Sequence, residues 1–130
     1  MDAVAITADG YTYLPFPWAS AHRAADILQP DINWCGGATS CRRIVDAADA
    51  AGVSVILHAG GNTVFGQHFS LAMPSVPWCE FFVGTDPGVP LEQGWRYQGQ
   101  ALPEAGWIRT GDAPGFGLEI REEWIAPLWA

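Results

Sequence analysis

Three side chains suited to acid–base chemistry recur along this chain. Asp31, His58 and Glu80 each end or interrupt a short run of apolar residues. A carboxylate beside an imidazole orients the ring and supports its charged form, so an Asp31–His58 pair on neighbouring strands is suited to abstracting and returning a proton. An ionised carboxylate inside an apolar strand must be paired, hydrogen-bonded or directed into a polar cavity, which makes Glu80 a third candidate. The three residues together predict a proton-transfer site.

Each candidate also has an ordinary structural interpretation. Asp31 could cap a turn or a helix, and a single histidine at a strand end, such as His58, could be a satisfied loop residue. Asn33 and Asn62 could add hydrogen bonds to a bound substrate near the same site, but asparagine in loops commonly serves turns. His68 falls in the middle of a predicted helix, where packing is favoured over catalysis. The shared location of the first three candidates on successive strands favours the catalytic interpretation.

Alternating strands and helices must position these side chains. Residues 26–83 are predicted to run β-α-β-α-β, with right-handed parallel crossovers as the default topology. Barrel enzymes place catalytic groups at the C-terminal ends of successive strands, which matches the observed order. The predicted strands cover 26–29, 53–57 and 79–83; the predicted helices cover 39–51, capped by Thr39 and ended by Gly52, and 63–73.

The segments on either side differ from this alternating region, so we divide the chain into residues 1–23, 24–83 and 84–130. In the first segment, residues 3–8 are a possible barrel strand, 11–18 contain two prolines and predict no regular element, and 20–25 predict a short helix. The last segment is rich in Gly and Pro and predicts an extended C-terminal arm. The predicted fold class is α/β: a partial TIM-type barrel plus this arm.

Composition narrows the function classes. The 130 residues form one domain but reach only about half the length of a TIM barrel. A net charge of −8 with six basic residues argues against nucleic acid as a partner, and no apolar run is long enough to span a membrane. We therefore expect a cytoplasmic protein. Seven Trp and six Phe give more apolar surface than a small domain easily hides, which predicts a partner that covers it.

The cysteines and carboxylates are the candidate metal ligands of this chain. The three cysteines are odd in number and form no CxxC pair, so reduced, mostly buried thiols are expected. A zinc site built from Cys35, Cys41, Cys79 and His58 is the minor alternative, because the spacing is wrong for known structural sites. Mg²⁺ needs several converging oxygen ligands. Asp9 is the only suitably placed carboxylate upstream of the β-α-β-α-β region.

Five short motifs, in this order and spacing, resemble a known family. They are Gln29-Pro30-Asp31, Gly36-Gly37, His58 after an apolar strand, Pro77-Trp78-Cys79-Glu80-Phe81 and Pro114-Gly115-Phe116-Gly117-Leu118-Glu119. Over residues 24–125 the chain resembles the C-terminal part of the enolase superfamily, in the mandelate racemase/muconate lactonizing enzyme group. It is most similar to the acid-sugar dehydratases, and among these to the L-rhamnonate dehydratases.

This resemblance implies a (β/α)₇β barrel with an N-terminal capping domain on which the arm would pack. It also implies Mg²⁺ and a reaction that abstracts the proton alpha to a carboxylate and eliminates water, giving a 2-keto-3-deoxy sugar acid. Asp31 matches the sixth-strand partner, His58 the seventh-strand acid/base and Glu80 the eighth-strand carboxylate. Asp9 is at about the separation of the third metal ligand, which is normally Glu.

The same resemblance implies a small-molecule sugar acid as substrate. The capping domain and the strands that carry two of the three metal ligands lie outside this sequence. The expected partners are therefore a homo-oligomer or the missing half-barrel. The alternative function is a catalytically inactive half-barrel that self-associates or binds a homologous protein.

Overall fold

The computed structural model describes residues 5–8, 15–94, 99–118 and 120. Three parallel strands form one sheet and lie side by side in their order along the chain, with helices between them in sequence. The strands are β1 (Ala5–Ala8), β2 (Ile27–Pro30) and β3 (Ser54–Val55); the helices are α1 (Pro15–Ala21), α2 (Gly37–Ala51) and α3 (Val64–Ala72), with short 3₁₀ turns at Gly60–Asn62 and Leu91–Gln93. None of the helices in these ranges is both long and apolar enough to cross a bilayer.

The C-terminal ends of the strands bring the predicted site residues to one edge of the sheet. The parallel ladder continues past β3, because the backbone N–H groups of Ile56 and His58 donate to the carbonyls of Leu28 and Pro30 at 3.0 and 3.1 Å. A single parallel bridge joins Leu57 to Cys79. The predicted strands at 26–29 and 53–57 are thus confirmed in position, although β3 is shorter. The predicted strand over 79–83 is wrong beyond this bridge.

Helix α2 buries one apolar face against the sheet. Ile44, Val45 and Ala48 are almost fully buried, as their helical spacing predicted. Gly52 ends the helix in the left-handed conformation, with φ of 66°, which glycine adopts without a Cβ penalty. The predicted cap at Thr39 is wrong: the helix begins at Gly37, with Gly36 as its N-cap and no side-chain capping bond.

Helix α1 corrects the prediction for the N-terminal segment. Residues 11–18 were expected to form no regular element and 20–25 a helix, whereas the helix runs from Pro15 to Ala21. Both prolines lie in its first turn, where backbone N–H groups have no helical acceptor and proline costs little. The helix is anchored by Phe16, whose side chain is completely buried.

The core lies between the sheet and the helices. Its largest fully buried side chains include Phe16, Leu28, Ile44, Val55 and Leu57. Within the described parts of the arm (84–94, 99–118 and 120), the Leu91–Gln93 turn is the one helical segment, and Glu104 and Trp107 form an antiparallel bridge. The division into 1–23, 24–83 and 84–130 stays a prediction.

Candidate active site

Asp31 and His58 meet at the end of the sheet. His58 Nδ1 lies 3.5 Å from Asp31 Oδ2, at the outer limit of a hydrogen bond. The other carboxylate oxygen, Asp31 Oδ1, accepts the backbone N–H of Asn33 at 2.7 Å. The Asp31 side chain is only 13% exposed, whereas that of His58 is 43% exposed. Asp31 can therefore hold Nδ1 as the N–H donor, which leaves Nε2 as the proton acceptor.

Glu80 makes hydrogen bonds to the turn at residues 59–62, which directly follows His58. Its Oε2 accepts the backbone N–H of Ala59 at 2.6 Å, and its backbone carbonyl accepts the N–H of Gly61 at 2.7 Å. Ala59 has φ of 48°, a left-handed conformation that an L-residue adopts only when its surroundings hold it there. These two bonds from one residue keep the 59–62 turn next to Glu80.

A cleft of about 920 Å³ opens beside these groups. His58, Asn62 and Glu80 contribute polar groups to it, and we call it the His58 cleft. Asp31 is not part of its lining and lies behind the imidazole. The remaining walls come largely from apolar side chains and from the arm: Phe81, Phe82, Val83, Leu91, Gln100 and Leu102.

The two asparagines proposed as substrate ligands differ in position. Asn62 lines the His58 cleft, but its side chain donates to the carbonyl of Phe82 at 2.8 Å and accepts the Phe82 N–H at 2.6 Å. Asn33 lines a separate cleft of about 490 Å³ together with Phe65 and His68. The structure thus brings Asp31, His58, Glu80 and Asn62 together and leaves Asn33 outside the His58 cleft. Asp9 lies outside the described residues.

The described residues do not form a magnesium site. Nowhere among them do three or more His, Cys, Asp or Glu side chains converge on a common point. The two carboxylate oxygens of Asp31 already contact His58 and the Asn33 N–H, and Oε2 of Glu80 accepts the Ala59 N–H. This donor set does not supply the several free carboxylates that Mg²⁺ requires.

The zinc alternative is wrong for the residues named, since Cys35, Cys41, Cys79 and His58 are all described and form no such cluster. All three cysteines are free thiols, as expected. Cys35 and Cys41 share a hydrogen bond inside the core, which raises the pKa of Cys41 far above its ordinary value. Burial raises the pKa of Cys79.

Sequence reasoning missed two glutamines near the site. Gln67 on α3 is 3% exposed and Gln100 on the arm is 5% exposed, and both donate to the backbone carbonyl of Gly61. The available signal was a polar side chain at a buried position of an apolar helix, since Gln67 lies between Val64 and Ser70 on the buried face of α3.

Comparisons with known proteins identify the family of the chain. The family model described as enolase C-terminal domain-like matches residues 3–124. An L-rhamnonate dehydratase from Saccharopolyspora erythraea is 35% identical over 101 residues, which cover 75% of this chain and 25% of that protein. The chain therefore spans about a quarter of the length of this curated relative.

Solved structures give the same result. The crystal structure of an L-rhamnonate dehydratase from Gibberella zeae superposes with a TM-score of 0.75 at 29% identity, covering 92% of this chain and 31% of that one. A second structure, of rhamnonate dehydratase from Gibberella zeae complexed with Mg, matches equally well and is covered to 30%. The α/β fold is thus part of the barrel domain of these enzymes, and the chain belongs to the enolase C-terminal domain-like family.

Proposed function

We propose that this chain carries the acid–base part of an acid-sugar dehydratase of the L-rhamnonate type. The observation that supports this most strongly is the Asp31–His58 contact between neighbouring strands, with the imidazole at the wall of a large cleft. The relatives named above are called L-rhamnonate and rhamnonate dehydratases. A sugar acid of this class has a proton and a hydroxyl on C2, next to the carboxylate, and a second hydroxyl on C3.

His58 would perform both proton transfers. Its Nε2 takes the C2 proton, and the electron pair left behind forms the C2–C3 double bond as the C3–O bond breaks. The imidazolium, supported by the Asp31 carboxylate, then gives its proton to the departing hydroxyl, which leaves as water. The resulting enol converts to the 2-keto-3-deoxy acid. One proton is taken and one returned, so His58 ends in its starting state.

Glu80 would orient the carboxylate end of the substrate. Its Oε2 is held by Ala59, and its Oε1 has no hydrogen-bond partner in the described part of the chain, while the residue lines the His58 cleft. The family implies Mg²⁺ for stabilising the charge on the substrate carboxylate. Because the described residues do not form that site, no step above is assigned to the metal.

The test is turnover of L-rhamnonate, with Mg²⁺ present, measured as keto-acid formation. We expect His58→Asn to reduce the rate by roughly 10²- to 10⁴-fold, the usual contribution of a positioned general base. His22→Asn is the matched control, because His22 is exposed and lies against Trp18 on α1. A His58→Asn chain as active as the unchanged one would show that His58 is not the base.

A second candidate is an inactive half-barrel that associates with itself or with a homologous protein. The observation that favours it is the exposure of large apolar side chains, among them Trp78 at 71% and Phe82 at 70%. This candidate predicts no keto-acid formation at any Mg²⁺ concentration. Turnover that disappears in His58→Asn and persists in His22→Asn would contradict it.

A further inference from the structure

Gln67 is buried behind the 59–62 turn and uses its whole amide group to join two distant segments. Its Nε2 donates to the carbonyls of Gly61 and Ala101, both at 2.7 Å, and its Oε1 accepts the Ala101 N–H at 3.2 Å. An amide buried in an apolar core costs roughly 1–3 kcal/mol, by mutational measurement, unless it is hydrogen-bonded. The three bonds remove this cost only while both segments stay in place.

The 59–62 turn has little freedom to move independently of α3. The Gly61 carbonyl accepts from Gln67 and also from Gln100 at 3.3 Å, and the Gly61 N–H donates to Glu80. A Cβ at Gly61 would lie 2.8 Å from the Glu80 carbonyl, and a Cβ at Gly66 would lie 2.8 Å from the Gly60 Cα. His58 immediately precedes this closely packed turn, so its backbone position depends on these contacts.

We call Gln67 with its three hydrogen bonds to Gly61 and Ala101 the clasp. Its Ala101 end determines the position of one wall of the His58 cleft. Gln100 and Leu102 both line that cleft, and Ala101 between them makes two hydrogen bonds to Gln67. The described part of the arm on either side is largely exposed and contains no α-helix or strand. Through its bonds to Ala101, Gln67 therefore attaches segment 100–102 to the helix behind the site.

We propose that Gln67 is a positioning residue: its side chain holds the 59–62 turn and segment 100–102 in a fixed relation, and so sets the opening of the cleft beside His58. The catalytic consequence rests on the proposed function above, whereas the structural coupling does not. Gln67 touches neither substrate nor reacting atoms and acts through Gly61 and Ala101.

The first measurement needs no substitution. Hydrogen exchange by NMR should show both side-chain amide protons of Gln67 exchanging much more slowly than those of Gln93, an exposed glutamine at the end of the Leu91–Gln93 turn. Equal exchange of the two side chains would overturn the proposal, and this result does not depend on whether any variant folds.

Two variants then test the coupling. Gln67→Leu replaces the amide with an apolar group of similar size. Gln67→Glu keeps one acceptor oxygen but replaces the donating NH₂ group with a second oxygen, which faces the Gly61 and Ala101 carbonyls. We expect both to raise the exchange rate of the Ala101 backbone N–H at least about tenfold, the effect of losing roughly one net hydrogen bond, and to shift the ring ¹⁵N resonances of His58. Gln93→Leu, the control, should do neither. A Gln67→Leu chain with an unchanged Ala101 exchange rate and unchanged His58 resonances would contradict the proposal.

Activity separates this proposal from the proposed function. If the unchanged chain turns over L-rhamnonate, Gln67→Leu should lower kcat roughly 10- to 100-fold, as misplacement of a catalytic group does. Shifted His58 resonances in a chain without turnover would support the clasp and count against the dehydratase proposal. Turnover that is the same in Gln67→Leu and in the unchanged chain would count against the clasp alone.

Discussion

At the scale of single residues, the site depends on how Asp31 is held. Its Oδ1 accepts the Asn33 N–H, and Oδ2 is the oxygen that lies next to His58. The carboxylate is thereby fixed by a backbone group two residues away, and the imidazole is oriented by a side chain from the neighbouring strand. This division of the two oxygens makes the effect of an amide at position 31 predictable.

In Asp31→Asn the side-chain oxygen should stay on the Asn33 N–H, because a backbone donor needs an acceptor there. The new NH₂ group then faces His58 and donates to Nδ1, which forces the proton of the neutral ring onto Nε2. We expect ¹⁵N NMR to show this tautomer, and turnover to fall by roughly 10²-fold or more because the base is lost. Asp46→Asn, on the exposed Arg42 pair, is the control and should leave the His58 tautomer unchanged.

A second residue-scale prediction concerns Cys79, whose pKa is raised by burial. Below pH about 8.5, the ordinary thiol pKa, both folded and unfolded chains hold the proton. As the pH rises further, the unfolded chain releases it first, so the free energy of unfolding should fall until the folded thiol also ionises. Urea unfolding at several pH values checks this. Cys79→Ala should show a smaller decrease; an equal decrease would assign the effect to other groups.

At the scale of elements, the start and the position of helix α3 depend on an N-cap side chain and on one glycine. Thr63 caps the helix through Oγ1, which accepts the Gly66 N–H at 3.0 Å. Gly66 in turn lies against the Gly60 backbone. The helix start and the 59–62 turn therefore share one contact region, and each can be tested by a single substitution.

Thr63→Ala should lower the free energy of unfolding by about 1 kcal/mol, the usual cost of losing a side-chain N-cap. Thr39→Ala is the matched control, since Thr39 lies exposed in the first turn of α2 and does not cap it. Chemical denaturation of the two variants makes the comparison. Equal losses would mean that the Thr63 cap contributes nothing specific.

Gly66→Ala should destabilise the chain although alanine is the better helix former by about 1 kcal/mol. The added Cβ would meet the Gly60 backbone, and overpacking of this kind costs about 1–3 kcal/mol. Gly111→Ala is the control, because nothing lies within 4 Å of a Cβ there. A Gly66→Ala chain that is more stable than the unchanged one, as measured by its Tm, would show that the turn moves away without cost.

At the scale of the whole molecule, apolar surface is left uncovered. Trp18, Trp34, Trp78, Phe82 and Trp107 are each more than half exposed. Large exposed apolar patches commonly mark interaction sites. The expected partner, a second copy or the missing half-barrel, remains a proposal.

We predict that the chain self-associates with rising concentration, as measured by light scattering, because association removes aromatic surface from water. The double variant Trp78→Ser with Phe82→Ser should shift the equilibrium towards the monomer. Glu92→Ser with Gln93→Ser, two exposed polar residues, is the control and should not. A chain that stays monomeric at all concentrations would contradict self-association.

Local patterns were sufficient for much of this molecule. The apolar periodicity of α2, the glycine that ends it and the strand ends before Asp31 and His58 follow from residues adjacent in sequence, whose propensities act over one or two turns. The same local reasoning failed at α1, where two prolines fit the first helical turn, and at 79–83, where one bridge replaces a strand. In both cases the secondary structure depends on which backbone N–H groups have a hydrogen-bond acceptor in the folded chain.

The sequence alone determined which groups are available for proton transfer and that Asp31 and His58 end neighbouring strands. Tertiary structure alone decided their partners. The bond from Ala59 to Glu80 spans 21 residues and the bond from Gln67 to Ala101 spans 34, and Asn33 was directed to a different cleft. Such bonds form only after the chain has packed, because a buried amide or carboxylate takes whichever partner the fold brings within 3 Å.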